Sequence, residues 1–272
     1  MSRLHKEGYI AHTVRKSIMK THHWLPRVLA AVAYIASVNA AYAVTYVVLP
    51  LIGDQLTIVG ARTVMGSNMD RNEHQVEHLD DSVLDTAASK FVDAAIARAQ
   101  PSAAVVTLRA NDSKIYALRD KLTEADPAAI EELVNLLQGK MENLPSARLV
   151  LIAPYWAEQE LKTARNYVGT GKVAGLGFYI DRVTRTRRVD TLESAIGFLG
   201  AFANFRIAVI DVSSKKVLAQ QVIATGRVYS AARSSDTHPW NALSAEAKLR
   251  ALASLMQVEI ARMVPAVLQE TP

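Results

Sequence analysis

Apolar residues in the first part of the chain recur at two spacings, one typical of strands and one typical of helices. Residues 46–52 and 55–59 are short apolar segments on either side of a Gly-Asp pair, which predicts two β-strands. Residues 82–99 carry apolar pairs about every four positions, the spacing of an amphipathic helix. Ser82 and Asp85 stand at its start, where their oxygens can accept hydrogen bonds from backbone N–H groups. We therefore expect this helix to be capped by its own first residues.

The middle of the chain alternates between apolar runs and helix signals. Residues 103–108 and 148–153 are continuous apolar runs, which predict buried strands. Between them, Asp126 and Pro127 predict a helix start, because the carboxylate can cap the first turn and proline lacks only an N–H that has no partner there. We expect that helix to end at Gly139, a residue type common just after a helix.

The second half of the chain is dominated by strand patterns. Residues 156–167 are interpreted as a short helix, and residues 172–189 as one long strand. Residues 204–212 and 216–229 predict two strands joined by a short polar turn. Residues 243–264 carry one apolar stripe and predict a final helix, ended by the proline that follows it.

This order of elements predicts the fold class. Helices and strands alternate early in the chain, whereas adjacent strands dominate later. Such a chain forms a mixed β-sheet covered by helices, in the α/β or α+β class. Residues 44–272 contain no tract typical of a linker, and their length suits one compact domain.

Residues 19–43 have the pattern of an export signal. Basic residues lead, an uncharged apolar run follows, and the sequence Ala-Tyr-Ala ending at Ala43 is a small-x-small cleavage site. The apolar core is about nine residues long, whereas a membrane-spanning helix needs ~20. We therefore expect residues 1–43 to be a leader that is removed during export to the periplasm, with Met19 as a candidate true start. An uncleaved membrane anchor is the alternative.

Removal of this leader changes the charge of the protein. The chain has 31 basic and 26 acidic residues and a calculated pI near 9.4. The leader holds six of the basic residues and one of the acidic residues, which leaves 25 of each in residues 44–272. A neutral domain has no overall attraction for nucleic acid, so nucleic acid is not an expected partner. The chain has no cysteine, which excludes disulfides, thiolate metal sites and cysteine catalysis.

His74, Glu77 and His78 match the spacing H-x-x-E-H of inverted zinc peptidases. On a helix, the two imidazoles would lie on one face and could share a zinc ion, while Glu77 activates water. No third ligand is marked by a motif, and the polar neighbours favour a solvated segment. A zinc-dependent hydrolase is therefore an alternative function.

No cofactor motif is complete in this sequence. Residues 169–172 read Gly-Thr-Gly-Lys, as in part of a phosphate-binding loop. However, Val173 stands where that loop carries Ser or Thr, and the first glycine of the motif is missing. No G-x-S-x-G sequence of a serine hydrolase occurs either. We expect a protein without cofactor and without enzymatic activity.

An arginine cluster and the apolar run after it form the predicted partner contact. Residues 195–203 are the apolar run, which is either a core segment or an exposed patch that packs on a partner or a membrane surface. A charged exposed strand that prevents edge-to-edge pairing is the alternative interpretation of the arginines. The predicted contact residues are Arg182, Arg185, Arg187, Arg188, Phe198 and Leu199.

Residues 204–229 contain an apolar strand that ends in aspartate, a short turn and a returning strand; the marked positions are Asp211, Val212, Lys216 and Val217. The early segment YVVLPLIGD is likewise followed by a long amphipathic helix. This pattern resembles the CsgG-like and TolB N-terminal group of cell-envelope modules, which includes the penicillin-binding-protein activators. The resemblance implies a non-catalytic module that binds other envelope proteins.

The sequence therefore favours one function over two alternatives. The favoured function is a periplasmic accessory protein that binds an envelope protein without catalysis. The first alternative is the zinc-dependent hydrolase. The second is an envelope protein that binds a small ligand, which requires a deep apolar pocket.

Overall fold

A computed structural model describes residues 44–60, 72–79, 83–110, 112–124, 126–144, 146–163, 167–188 and 190–271. The predicted export signal lies outside these residues. The described residues fall within one compact unit, Ala43–Pro272.

The described strands are β1 Thr45–Pro50, β2 Gln55–Gly60, β3 Glu73–His78, β4 Ala104–Thr107, β5 Ala147–Pro154, β6 Ala157–Lys162, β7 Tyr167–Val173, β8 Gly175–Arg187, β9 Ser194–Asp211 and β10 Lys216–Ser230. Eight of them form a mixed sheet at the centre of this unit, in the order β3-β2-β8-β9-β5-β1-β4, with β10 also paired to β9. The other two strands form a separate hairpin, β6–β7, which packs on one face of the sheet.

Strand β9 holds the two halves of the sheet together. Its first half pairs with β8 and its second half with β5, while β10 runs antiparallel along its other edge. The change of partner takes place between two neighbouring residues, because Asn204 is opposite Gly175 and Phe205 is opposite Pro154. Strand β1 is parallel to β4 and β5, and β2 is parallel to β8. The predicted mixed sheet of the α/β class is confirmed.

Helices cover both faces of this sheet. Two long helices, α1 Val83–Ala99 and α5 Ala245–Gln269, pack on one face against β1, β5 and β9. Three helices cover the opposite face beside the β6–β7 hairpin: α2 Ser113–Ala117, α3 Arg119–Thr123 and α4 Pro127–Met141. The apolar residues of β9 therefore contact helices on both sides, which explains why β9 is an almost continuous apolar run.

Helix α1 ends at Ala99 as the sequence predicts, but the ends of α4 and α5 differ from the prediction. The Asp126 carboxylate accepts a hydrogen bond from the Ala128 N–H at 2.9 Å, as predicted for the start of α4. Helix α4 continues past Gly139 to Met141, whose side chain is buried. Helix α5 continues past Pro265 to Gln269, so the prediction that this proline ends the helix is wrong. Proline cannot donate a backbone hydrogen bond, and burial of Val267 and Leu268 in the core offsets the free-energy cost of that loss.

Three predictions about strands also need correction. Within the range 156–167, predicted as a helix, Ala157–Lys162 form strand β6, because Gln159 and Leu161 are buried while their neighbours are exposed. The long strand predicted over residues 172–189 is divided at Ala174 between β7 and β8. Strand β4 was predicted to be buried, but it lies at an edge of the sheet and is largely exposed.

Candidate functional site

The H-x-x-E-H motif lies on β3, at the edge of the sheet. Strand β3 pairs with β2 in antiparallel register, and all six of its residues are exposed. Successive side chains of a strand point to opposite faces, so Glu77 faces away from the side shared by His74 and His78. The two histidines are four strand residues apart, which separates them by ~13 Å along the strand.

This geometry removes the basis of the zinc alternative. A shared zinc ion requires both imidazole nitrogens within about 2.1 Å of the metal, which a straight strand cannot provide. Among the residues that the structure describes, no group of three His, Cys, Asp or Glu side chains is placed to hold a metal ion. His74, Glu77 and His78 therefore lie on a solvent-exposed strand, as their polar neighbours favour, and not on the helix that the zinc alternative requires.

The apolar run 195–203 belongs to β9 and is mostly buried. Phe198 packs with Tyr179 and Phe202 under the β6–β7 hairpin, and Leu199 packs in the core on the opposite face. Phe198 and Leu199 have no exposed surface, so the prediction that they contact a partner is wrong. They are buried because helix α5 covers one face of β9 and the hairpin covers the other.

The predicted arginines lie on a projecting part of the sheet, which we call the arm and define as residues 181–198. It consists of the end of β8, the connection to β9, and the start of β9. Arg188 closes the connection, since its Nε and Nη2 donate to the Asp190 carboxylate and its Nη1 lies 3.4 Å from Glu193 Oε2. Hydrogen bonds from Arg188 hold the pKa of Asp190 well below its usual range. This arginine therefore has a structural role within the arm.

Arg185 and Arg187 share an exposed face of the arm with Ile196, and further exposed arginine and aliphatic side chains lie beside it. Arg185 is opposite Ile196 in the β8–β9 register, so the two side chains lie on the same face. Arg187 lies two residues further along on that face, and its Nε donates to the Leu192 carbonyl at 2.9 Å. Ile196 and Leu192 are each 58% exposed and Val183 is 62% exposed, next to the exposed Arg182.

The inner face of the arm fixes its position. Asp181 is buried, and its Oδ1 accepts hydrogen bonds from the Val183 and Thr184 N–H groups at 2.8 and 2.6 Å, where β8 bulges. The Thr186 hydroxyl donates to the Gly197 carbonyl at 2.9 Å and lies 2.8 Å from the Ser230 hydroxyl. Hydrogen bonds made by β8 and β9 therefore hold the arm in one conformation and fix the position of its exposed side chains.

A buried carboxylate that sequence analysis did not find as a site lies where β1 ends. Asp85 Oδ1 accepts hydrogen bonds from the Ile52 and Gly53 N–H groups at 3.1 and 2.8 Å. Burial raises the pKa of Asp85 to about 6, and these two hydrogen bonds oppose that rise. A cavity of about 30 Å³, which has room for one water, lies beside Asp85, Ser89 and Tyr116.

A second unpredicted feature is a groove between the end of α3 and the open end of the β6–β7 hairpin. This cleft of about 540 Å³ is lined by Thr123, Glu124, Tyr155, Trp156 and Lys172. It is open to solvent and mixed in polarity, unlike the deep apolar pocket expected for a small-ligand protein. The one sequence feature that could have indicated this groove is the aromatic pair Tyr155 and Trp156, which directly follows the apolar strand β5.

Comparisons with known proteins do not assign a family. No protein family model matches the chain, and no curated protein has a significant sequence match. Among solved structures, the chain is similar to the crystal structure of protein XCC0632 from Xanthomonas campestris, which is described with the family model DUF330. That similarity covers 84% of each chain at 10% identity with a TM-score of 0.32.

Proposed function

We propose that this chain is an exported accessory protein of the cell envelope that binds another protein through the exposed face of the arm. The observation that carries the proposal is the combination on the arm of three exposed arginines with three exposed aliphatic side chains. Arginine is enriched at protein interfaces, where its guanidinium forms directional hydrogen bonds and its stem packs on apolar surface.

The charges on the arm define the chemistry of the partner. Arg188 is matched by Asp190 and Glu193, and Asp181 is buried as a cap of the bulge. The exposed surface of the arm keeps the positive charges of Arg182, Arg185 and Arg187. A complementary partner surface therefore carries carboxylates around an apolar centre, and its binding weakens as salt screens the charges.

Two sequence features support the cell envelope as the location. Residues 19–43 have the pattern of an export signal. The strand–turn–strand around Asp211 resembles that of CsgG-like and TolB N-terminal modules. In the structure, the Asp211 carboxylate accepts hydrogen bonds from the Ser213 hydroxyl and the Ser214 N–H, both at 2.6 Å, and so orders the turn between β9 and β10.

Site-specific photo-crosslinking in intact cells tests this function. A photoreactive amino acid is placed at Val183 in the arm, or at Val258 on α5 as an equally exposed control, since these side chains are 62% and 59% exposed. We expect a discrete adduct from position 183 and none of the same mass from position 258. Arg185→Glu with Arg187→Glu should remove the adduct, whereas Arg98→Glu, an exposed arginine on α1, should leave it.

A second measurement separates a specific partner from incidental capture. The captured protein is identified, purified and titrated with this protein at low and high ionic strength. We expect affinity to fall at least about tenfold as salt rises from roughly 50 to 500 mM, because opposite charges across an exposed interface are screened. Binding that is independent of salt, or an adduct that persists in the double variant, would contradict the proposal.

A further inference from the structure

The groove lined by Thr123, Glu124, Tyr155, Trp156 and Lys172 lies over the face of β9 that carries Arg206. Side chains on alternate residues of a strand share a face, and the buried Ala208 and Ile210 on that face pack under helices α2 to α4. Phe202 on the same face packs under the β6–β7 hairpin. Arg206 therefore lies between these two packed regions, at the level of the groove.

Arg206 is a buried guanidinium for which the described residues supply no carboxylate. Its Nη2 donates to the Leu122 carbonyl at 2.8 Å, directly before Thr123 at the edge of the groove. Its Nη1 donates to Gln220 Oε1 at 3.3 Å, and its Nε has no hydrogen-bond partner among the described residues. The side chain is 1% exposed, and burial lowers the pKa of Arg206.

A second buried polar group accompanies this guanidinium. Asn204 is two residues before Arg206 on β9 and has no exposed surface. Its amide nitrogen donates to the Val173 carbonyl at 3.1 Å, beside Lys172 of the groove, and its Oδ1 has no partner within the described residues. Burial of polar and charged groups without full pairing is costly unless a ligand or an ordered water completes the set.

The rim of the groove adds one cation, one anion and one aromatic surface. Lys172 is exposed and lies opposite Glu158 in the β6–β7 register, and no ion pair is formed between them. Glu124 is exposed on the other side of the groove. Trp156 is 43% exposed, so its ring is available for stacking.

We propose that this groove binds a small organic anion, with a carboxylate or phosphate group on Lys172, above the buried positive charge of Arg206, and with an attached ring on Trp156. The cleft of about 540 Å³ has room for a small aromatic anion, although it is more open to solvent than the enclosed pockets of most small-molecule sites. Glu124 opposes the anion and limits its affinity. This site is separate from the arm and does not rest on the proposed function.

Isothermal titration calorimetry of the full chain with phenyl phosphate and with benzoate tests the site and distinguishes phosphate from carboxylate. Inorganic phosphate and phenol serve as probes that keep only the charge or only the ring. We expect saturable binding of at least one aromatic anion, with both partial probes weaker by at least about tenfold. Absence of saturable binding of either aromatic anion up to about 10 mM would overturn the proposal.

Variants on the rim test the assignment without disturbing the core. Lys172→Gln and Trp156→Ala should each weaken binding of the aromatic anion by about tenfold, because each removes one contact. Glu124→Gln should tighten binding severalfold by removing the repulsion. Lys162→Gln is the matched control, since Lys162 lies on the same hairpin with its ammonium over Tyr167. Unchanged affinity in Lys172→Gln, or weaker binding in Glu124→Gln, would contradict the proposed site.

Discussion

The carboxylate of Asp85 accepts a hydrogen bond from the backbone N–H of Gly53 at 2.8 Å. The sequence predicts that Ser82 and Asp85 together cap the helix start; Ser82 lies outside the described residues, and the structure shows that Asp85 joins α1 to the segment that follows β1. Gly53 leaves no room for a side chain at this contact, because a Cβ there would lie 2.5 Å from the Asp85 backbone nitrogen. The start of α1 and the end of β1 therefore depend on each other.

The buried Asp85 should make folding stability depend on pH. Burial raises the pKa of this carboxyl from 3.8 to about 6, so between these values the folded state binds more protons than the unfolded state. The contribution of Asp85 to stability is therefore complete below pH 3.8 and is lost as pH rises through about 6. A shift of this size corresponds to roughly 2–3 kcal/mol, at 1.36 kcal/mol for each pKa unit.

The measurement is the free energy of unfolding between pH 4 and 8 for the parent chain and for Asp85→Asn. The amide oxygen of Asn can still accept from the N–H groups of Ile52 and Gly53, but it does not titrate. We expect the stability of the parent relative to the variant to fall as pH rises toward about 6 and then to level off. A difference between the two proteins that is constant with pH would show that Asp85 does not titrate in this range.

Two nearby positions on β9, one exposed and one buried, should respond very differently to the same substitution. Phe198→Asp places a charge in the core, where no described partner is available, and should cost more than about 4 kcal/mol of folding stability. Ile196→Asp changes a side chain that is 58% exposed and should cost less than about 1 kcal/mol. Thermal unfolding monitored by circular dichroism compares the two variants. If Phe198→Asp unfolded at the same temperature as the parent, the buried position of Phe198 would be wrong.

Elements with a clear apolar period could be predicted from the sequence. Strand β5, the start of α4 and the β9–β10 strand pair carry their own local signals, and the structure confirms them. Strand β3 has no apolar period, because it is held at the edge by pairing with β2 and faces solvent on all its residues. Strand β6 was missed because Gln159, a polar residue, occupies one of its buried positions.

The functional residues were predicted only in part, because burial depends on contacts between distant segments. The arginine cluster is visible as a local concentration of charge. In contrast, an apolar run such as residues 195–203 does not reveal whether a helix and a hairpin will cover it. No local sequence pattern marks Asp85 or Arg206 as part of a site. Asp85 contacts Gly53, which is 32 residues away along the chain, and Arg206 contacts Leu122, which is 84 residues away.

The β6–β7 hairpin should depend on the absence of a side chain at position 200. Leu161 of β6 has no exposed surface and packs against Gly200 of β9, where a Cβ would overlap its Cδ1 atom. Gly200→Val should therefore destabilise the protein by about 1–3 kcal/mol or more through overpacking. Gly139→Ala is the control, because that glycine is exposed in α4 with no atom near its missing Cβ. The control should stabilise the helix by roughly 0.5–1 kcal/mol.

A compensating pair of substitutions tests this contact directly. Leu161→Ala removes the side chain that meets Gly200, so Gly200→Ala should cost less in that background than in the parent chain. Chemical denaturation of the two single variants and the double variant gives the coupling, which we expect to be at least about 1 kcal/mol. Additive effects would mean that Gly200 and Leu161 do not share this contact.

The secreted protein should begin at Val44 and should be electrically neutral. Cleavage after Ala43 leaves β1 intact, since β1 begins at Thr45 and the Val44 carbonyl accepts a hydrogen bond from the Ala104 N–H at 3.1 Å. Mass spectrometry of the periplasmic fraction should give the mass of residues 44–272. Isoelectric focusing should give a value near neutrality instead of the 9.4 calculated for the whole chain, because 25 basic and 25 acidic residues remain. A protein that stays in the membrane fraction with residues 19–43 attached would instead support the uncleaved anchor.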